Sequence, residues 1–513
     1  MTHDSYFMMD RRTALQTTLG TATLAVAGCL SSNAKSADFR IGSPWKPNRD
    51  PLDGGSMIRR LGITEALLGV NYDAEPAPEL ATEWVRLDDR RWEFTLREGV
   101  TFHDGDAVDA AAVIDSLRRT TESTAFADVP IETVEAVDET TVAVTTTTPF
   151  APLPAHLSRN EAVILSPDAV DADGSVTDLY STGPFAVDSF RPETAVRTVR
   201  NDDYYGQSPA LESVRYEVVA DDQTRRMKLE TGELEMARTL PHETVDSLES
   251  TDGIDVYTPA VPRVRFLTFD TDSEPFDDER VRRAVSLAID RETITESLLD
   301  GVSDPAISPF SSSITEWGNP DLDPNPYDPD RARTLLSEAG WTGGTGGRTR
   351  DGEPLSVEFL TFDARSLPLI AEVMQDHLAD VGIEVDVTVL EYSAMIDQVG
   401  QGSFDAYLTS WGTLWYPDPD RLAEMFHSTA ASLYHGYEND RVDTLLEEAR
   451  KLDDTDTRRE RYHEVQSIVA EEAPIAVITN YTNVIATITN VRGYEPHPTE
   501  SKYGLESISL DDD

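Results

Sequence analysis

The sequence is short of thiols and of positive charge. Its 513 residues include one cysteine, Cys29, and only 43 Lys and Arg against 95 Asp and Glu, a formal net charge of −52. One thiol forms no intrachain disulfide and no thiolate cage for a metal. A cation deficit of this size excludes a nucleic-acid binder, whose phosphate contacts require a basic face. Lysine is the scarcer cation: Lys35, Lys46, Lys228, Lys451 and Lys502 are the whole set, and the rest is arginine. Apolar residues make up 39% and aromatics 8%. That is low, yet it suffices for a core at this length, because the buried fraction rises with chain size. Beyond the N-terminal segment no apolar run approaches the roughly 20 residues of a spanning helix. The length fits roughly two to four domains or lobes.

The familiar catalytic signatures are missing as well. There is no Gly-Lys-Ser/Thr phosphate loop, no Gly-x-Gly-x-x-Gly after a strand and no nucleophile elbow. His463-Glu464 has no second histidine four residues after the first, so it is not a zinc-protease helix. The four glycines between Thr342 and Arg348 follow no strand and hold no lysine, which excludes a phosphate cradle there. An exported hydrolase without a recognisable nucleophile stays as an alternative of another class. No cofactor and no directly bound metal are expected.

The acids are spread along the chain and not clustered, which speaks against one acidic substrate-facing patch. With scarce lysine and Thr, Ala and Val in place of larger apolar residues, the composition resembles that of extreme halophiles. In molar salt the Debye length is about 3 Å, so repulsion among carboxylates is largely screened.

The N-terminus has its own logic. Asp10-Arg11-Arg12 precedes an uncharged run from Thr13 to Gly28, too short to span a membrane and ending in small residues. The paired arginines resemble a twin-arginine export signal. Val26-Ala27-Gly28-Cys29 resembles a lipobox, in which Cys29 is lipidated and becomes the new N-terminus; an accidental cysteine in an ordinary cleaved signal is the alternative. Cleavage would remove Asp4, Asp10, Arg11 and Arg12 and leave the net charge unchanged. Residues 29–37 are small and polar, as a flexible tether should be. The expectation is a protein on the extracellular face of the cell membrane, held by lipid.

Strands and helices then alternate. Trp92 to Leu96 has strand periodicity, and Val108 to Thr120 has helical spacing. Arg280 to Leu299 reads as one long helix, with Val281, Ala284, Val285, Ala288 and Ile289 on one face. Further helices are expected over Asp330–Ala339 and Leu367–Val381, a loop over Thr342–Arg348 and a strand over Ile383–Val389. No repeat of 20–50 residues is present, so the fold class is α/β lobes and not a solenoid.

Several long stretches carry a family resemblance. Pro78-Glu79-Leu80-Ala81-Thr82-Glu83-Trp84 and WEFTLREGVTFHDGDAVDAAAVIDSLRR from Trp92 resemble the family-5 extracellular solute-binding proteins, the receptors of ATP-binding-cassette importers for peptides and nickel. The match continues through STGPFAVDSFRPE at Ser181, RNDDYYG at Arg200 and KLETGELEMA at Lys228. It goes on through PFDDERVRRAVSLAIDRETI at Pro275, YDPDRARTLLSEAGW at Tyr327 and FDAYLTSWG at Phe404. Most of these motifs read as structural. His103-Asp104 suits a turn better than a metal, and Arg282-Arg283 and Asp290-Arg291 suit capping and pairing on helix surfaces.

The resemblance implies a two-lobed periplasmic-binding-protein-like fold of the large class, with an extra subdomain and a hinge. Residues 1–28 would be the signal and 29–37 the tether. Lobe I would take 38–260 and return over 475–513; lobe II would take 261–474. The implied function is non-enzymatic: capture of a peptide or related small organic solute between the lobes, and delivery to a permease with its ATPase subunits. A nickel or metal-chelate binder of the same family is the second reading, and a sensor on the same fold a third.

For the ligand, the resemblance points to the segment from Ser410 to Asp420. Peptide-binding relatives place an Asp three residues after its Trp to meet the peptide amine. Here that position is Leu414, which neutralises no ammonium, and Asp418 is the candidate substitute. Nickel-binding relatives use Trp, Tyr, Arg and His around a chelate. Trp411, Trp415 and Tyr416 match roughly, Arg159 follows Phe150 by nine residues, and Phe126 stands where relatives carry Trp. The histidine has no clean counterpart; His427 and His435 are both displaced. Aromatic rings stack on planar or cationic ligands, and an arginine fork clamps carboxylates. The competing account is that these aromatics belong to the core and that His427 is a surface or capping residue.

Overall fold

Three sheets with separate cores organise the chain. The computed structural model describes residues 38–511, apart from 311, 313–314, 323–325, 413–415 and 432–435. The signal, the tether and Cys29, together with Leu414, Trp415 and His435, lie outside the described residues.

Strand Phe39–Ser43 is central in a seven-stranded sheet. Its order is Ile254–Tyr257, Ile485–Ile488, Met236–Arg238, Phe39–Ser43, Ser213–Val218, Ala195–Arg200, Phe185–Arg191. Phe39 and Ile41, two residues apart and so on one face, are wholly buried. The strand runs parallel to Ser213–Val218 and to Met236–Arg238, and parallel neighbours require long crossovers. The first crossover carries a body of its own. Strands Ala81–Arg86, Arg91–Leu96, Thr141–Thr146 and Ile131–Asp138 form an antiparallel sheet in that order. Helix Ala110–Thr121 contributes Val113 and Leu117 to a core with Phe94 and Val142. Asp109 starts this helix by accepting the Ala112 amide at 2.9 Å.

The five-stranded sheet is ordered Glu384–Leu390, Ser356–Phe362, Ala406–Gly412, Ala260–Phe269, Ile475–Thr482. Strand Ser356–Phe362 runs parallel to both its neighbours, and helix Leu367–Asp380 joins it to Glu384–Leu390, a βαβ unit. Ala260–Phe269 is buried at every residue but the first, as expected between two neighbours and two covered faces. Helices Glu279–Ala288, Pro329–Glu338, Asp440–Lys451 and Thr455–Glu472 supply Val281, Leu335, Leu445 and Val465 to its core.

The chain passes between these two sheets at adjacent places. Ile254–Tyr257 leads into Ala260–Phe269, and Ile475–Thr482 leads into Ile485–Ile488. The two passages pair with each other: Tyr257 faces Ile485, Ala260 faces Thr482, and the Asn483 amide donates to the Pro259 carbonyl at 3.1 Å. Residues 475–482 therefore pair within the five-stranded sheet, and the chain re-enters the seven-stranded sheet at Ile485.

The long helix expected over 280–299 is interrupted. It ends at Ala288; Ile289 and Asp290 are extended, and Asp290 caps a new turn by accepting the Thr293 amide at 3.0 Å. A five-residue π segment, Ile294–Leu298, follows. Arg283 pairs with Glu279 on the surface as expected. Arg282 and Arg291 do not: both are buried and satisfied by carbonyls, Arg282 by Phe276 at 2.8 Å and Arg291 by Val477 at 2.7 Å. The glycine-rich segment expected as a loop is a small hairpin, Thr342–Gly344 against Gly347–Arg350.

Candidate functional site

A cleft of about 400 Å³ is lined from all three bodies. The seven-stranded side offers Trp45, Lys46 and Arg60; the four-stranded body offers Arg159 and Glu161. The five-stranded side offers Arg263, Arg365, Ser410, Trp411 and Arg421. The volume lies in the ordinary range for small-ligand sites.

Local sequence explains how these side chains arrive. Trp411 lies near the end of strand Ala406–Gly412, opposite Val264. Arg263 and Arg265, two residues apart on strand Ala260–Phe269, project from one face. The Arg263 Nη1 donates to the Ser410 carbonyl at 3.0 Å, and its Nε lies 3.4 Å from a Glu500 oxygen. The Arg265 Nη1 donates to Thr479 Oγ1 at 2.9 Å. Arg365 sits in the bend before helix Leu367–Asp380 with φ +58°. Its guanidinium stacks between Trp45, at 5.0 Å, and Tyr481, at 4.9 Å.

The electrostatics follow from this crowding. Burial presses Arg263 down to about 9, helped by the neighbouring Arg365. Burial alone would raise the Glu500 carboxyl, but Arg263, Arg365, Arg60 and Arg238 hold it below the usual carboxylate range.

The residues anticipated from the sequence divide into three groups. Trp411 and Arg159 line the cleft. Arg421 lies over the Trp411 ring at 4.0 Å and pairs with Glu424. Phe126 and Tyr416 stand behind Arg159, wholly buried, with their rings 4.8 Å and 5.5 Å from its guanidinium. Tyr416 stacks on His156 at 4.3 Å and donates its hydroxyl to Glu424 at 3.1 Å. Arg159 is itself committed, to Asp128 at 2.7 Å and Glu161 at 3.3 Å. Phe126 and Tyr416 thus shape the wall without lining the cleft.

Asp418 and His427 are not part of the cleft lining. Both Asp418 oxygens accept from Arg458, at 2.8 Å and 2.9 Å, in a buried bidentate pair, so its charge is already neutralised away from the cleft. His427 lies near Glu447 and Asp443, at 3.7 Å and 4.0 Å, and accepts the Thr429 amide at 3.2 Å, which is the capping role. Trp415 lies outside the described residues. Among the described residues no group of three or more His, Cys, Asp or Glu converges to hold a metal.

Sequence reasoning missed Trp45, Lys46, Arg60, Arg263, Arg365, Ser410 and Arg421. A usable signal existed for one of them: arginine at alternate positions in VPRVRFLTF breaks an otherwise apolar strand. Trp45 and Arg365 meet only through the fold.

Comparison with known proteins gives the family and the fold. The model of the bacterial extracellular solute-binding proteins, family 5, matches residues 75–433. The glutathione-binding protein GsiB of Escherichia coli strain K12 is 27% identical, over 96% of this chain and 98% of its own. The crystal structure of NikA from Brucella suis in complex with Fe(III)-EDTA is 25% identical and superposes with a TM-score of 0.83. That match covers 92% of this chain and 100% of the other. The oligopeptide-binding protein AppA of Bacillus subtilis, solved with a nonapeptide, is similar in fold at a TM-score of 0.83 and 23% identity, covering 93% of this chain and 99% of its own. The chain is an α/β, two-lobed protein and belongs to the bacterial extracellular solute-binding proteins of family 5.

Proposed function

We propose that this protein captures a peptide or related small organic solute between its two lobes and presents it to an ATP-binding-cassette permease. The observation that carries the reading is a cleft lined from both large sheets, which only two passages of the chain connect among the described residues. Closing such a cleft removes a solute from water on both sides, and relative motion costs little when two short paired segments act as the hinge. The lobes then divide within 257–260 and 482–485, with the four-stranded body as the extra subdomain of the first lobe. Binding needs no bond to be made or broken, and the relatives above are named for what they bind.

The anchor belongs to the same proposal. Cys29 follows Val26-Ala27-Gly28, and no described helix is long and apolar enough to cross a membrane. Lipidation at Cys29, after twin-arginine export, would hold the receptor beside its permease on the outer face of the membrane. Cys29→Ala should release the protein to the medium, and retention on cells would refute the anchor.

Isothermal calorimetry in about 2 M KCl, where surface repulsion is screened, tests the binding reading. The ligands are a mixed library of short peptides, Ni²⁺, and Ni²⁺–histidine. Saturable heat from peptides, weakened about tenfold or more by Trp411→Ala, is the expected result, since a stacked aromatic in a closed cleft is worth on the order of 1–2 kcal/mol. Binding of the nickel chelate alone would move the protein to the second reading. Unchanged affinities in Trp411→Ala would refute the assignment of the cleft.

A further inference from the structure

The cleft has the opposite charge from the rest of the molecule. Over the whole chain acids outnumber bases by 95 to 43. In the cleft lining the cations are Lys46, Arg60, Arg159, Arg263, Arg365 and Arg421, and the one acid is Glu161. A sixfold excess of cations on a surface otherwise covered with carboxylates needs a reason, because clustered guanidiniums repel one another at low dielectric.

Internal pairing accounts for part of the set. Arg159 is neutralised by Asp128 and Glu161, and Arg421 by Glu424. Arg263 has Glu500, whose carboxylate is also in the field of Arg60, Arg238 and Arg365. Arg365 has no carboxylate within 4.0 Å among the described residues. Its polar contact there is a donation to Ser410 Oγ at 3.4 Å, and its Nε is buried with no acceptor. Stacking between Trp45 and Tyr481 fixes the plane of this guanidinium without cancelling its charge. Lys46 is exposed and pairs only loosely, at 3.6 Å, with an exposed Glu193. The opposite kind of site is lacking: Glu161, the one acid of the described lining, is spent on Arg159, so no free carboxylate there awaits a ligand ammonium.

We propose that the solute of this cleft is an anion bearing two or more carboxylates. One is clamped by the preorganised Arg365 fork beside Ser410, another meets Lys46 from the opposite lobe, and no free amino group is required. The proposal rests on the solute-binding reading and specifies its substrate class. A planar fork held in place loses little freedom on forming two parallel bonds to a carboxylate. A ligand whose charges face both lobes favours the closed state. Such pairs form away from bulk solvent, so molar salt, which screens the outer shell, weakens them much less.

The test is calorimetry of the purified protein in about 2 M KCl. The probes are N-acetyl-Asp-Glu, its neutral counterpart N-acetyl-Asn-Gln-amide, Lys-Lys and inorganic phosphate. The acidic dipeptide should bind at least tenfold more tightly than any other. Arg365→Gln and the exposed Lys46→Gln should each reduce its preference over the neutral analogue about tenfold, the usual scale for one charged hydrogen-bonded contact. Unfolding midpoints of both variants should stay near that of the parent. Equal or tighter binding of the neutral or cationic dipeptide would overturn the proposal, and phosphate binding as tightly would overturn the carboxylate assignment. Heat from the mixed peptide library with none from N-acetyl-Asp-Glu would overturn the charge class alone. Heat from neither would overturn the solute-binding reading with it.

Discussion

At the scale of single residues, the side chains that look most chemical are often the most structural. Asp418 was the sequence candidate for a ligand amine, and it is a buried partner of Arg458. Removing one member of such a pair strands the other charge, which costs on the order of 3 kcal/mol. Asp418→Ala should therefore lower the unfolding free energy by about that amount in chemical denaturation, while solute affinity per folded molecule is unchanged. Glu65 makes a second case. It is wholly buried, accepts hydroxyls from Tyr205 at 2.8 Å, Tyr204 at 2.9 Å and Thr182 at 2.7 Å, and lies near Glu79. Glu79 takes the nearby cations, Arg59 at 2.9 Å and Lys502 at 2.7 Å. Burial first, and then the charge of Glu79, push the Glu65 carboxyl up to about 7. A carboxyl raised on folding holds its proton more tightly in the native state. Its contribution is thus complete below the unfolded value of about 4.3 and is lost as pH rises toward about 7. The stability of Glu65→Gln relative to the parent should accordingly rise across that window, read from urea midpoints at successive pH values; a flat difference would refute the assignment.

At the scale of elements, local signals were good where the element is held by local chemistry. The helix expected over Val108–Thr120 is found at Ala110–Thr121, because Asp109 caps it and its apolar spacing meets one core. Asp109→Ala should cost about 1 kcal/mol, the usual value of such a cap, in equilibrium denaturation. The helix expected over Arg280–Leu299 shows the limit. Its apolar period continues past Ala288, but Asp290 offers a competing cap and the buried Arg291 guanidinium reaches the Val477 carbonyl of the neighbouring strand. A hydrogen bond to a strand nearly two hundred residues away leaves no mark in local periodicity. The sheet that takes strand Ile475–Thr482 is unmarked in sequence for a related reason. A wholly buried strand shows no alternation, so its sequence does not say which sheet buries it.

At the scale of the whole molecule, charge dominates. A net −52 on one chain is self-repulsive, and most of its carboxylates are exposed, where mobile ions screen them. The thermal midpoint should therefore rise steadily as KCl is increased from about 0.1 M to about 2 M, where the Debye length falls from about 10 Å to under 3 Å. A midpoint independent of salt, followed by circular dichroism, would remove the halophilic reading. The cleft sits inside this shell with the opposite sign, so surface and site respond differently to the same salt.

The sequence by itself determined the composition-driven properties: the acidic shell, the export-like N-terminus, the α/β class and the family, since motifs such as FDAYLTSWG are contiguous and survive being read in a line. It also singled out Trp411 and Arg159, which line the cleft. Tertiary structure alone decided which arginines line the cleft and which are paired with carboxylates. Arg365 lies against Trp45 and Tyr481, from distant parts of the chain, which meet it by their ring faces, with no carboxylate within 4.0 Å among the described residues. Asp418 is spent because Arg458, forty residues on, lies within its reach. The reason is physical: charge and hydrogen-bond balance at a buried site is a sum over neighbours in space, and adjacency in sequence says little about that sum.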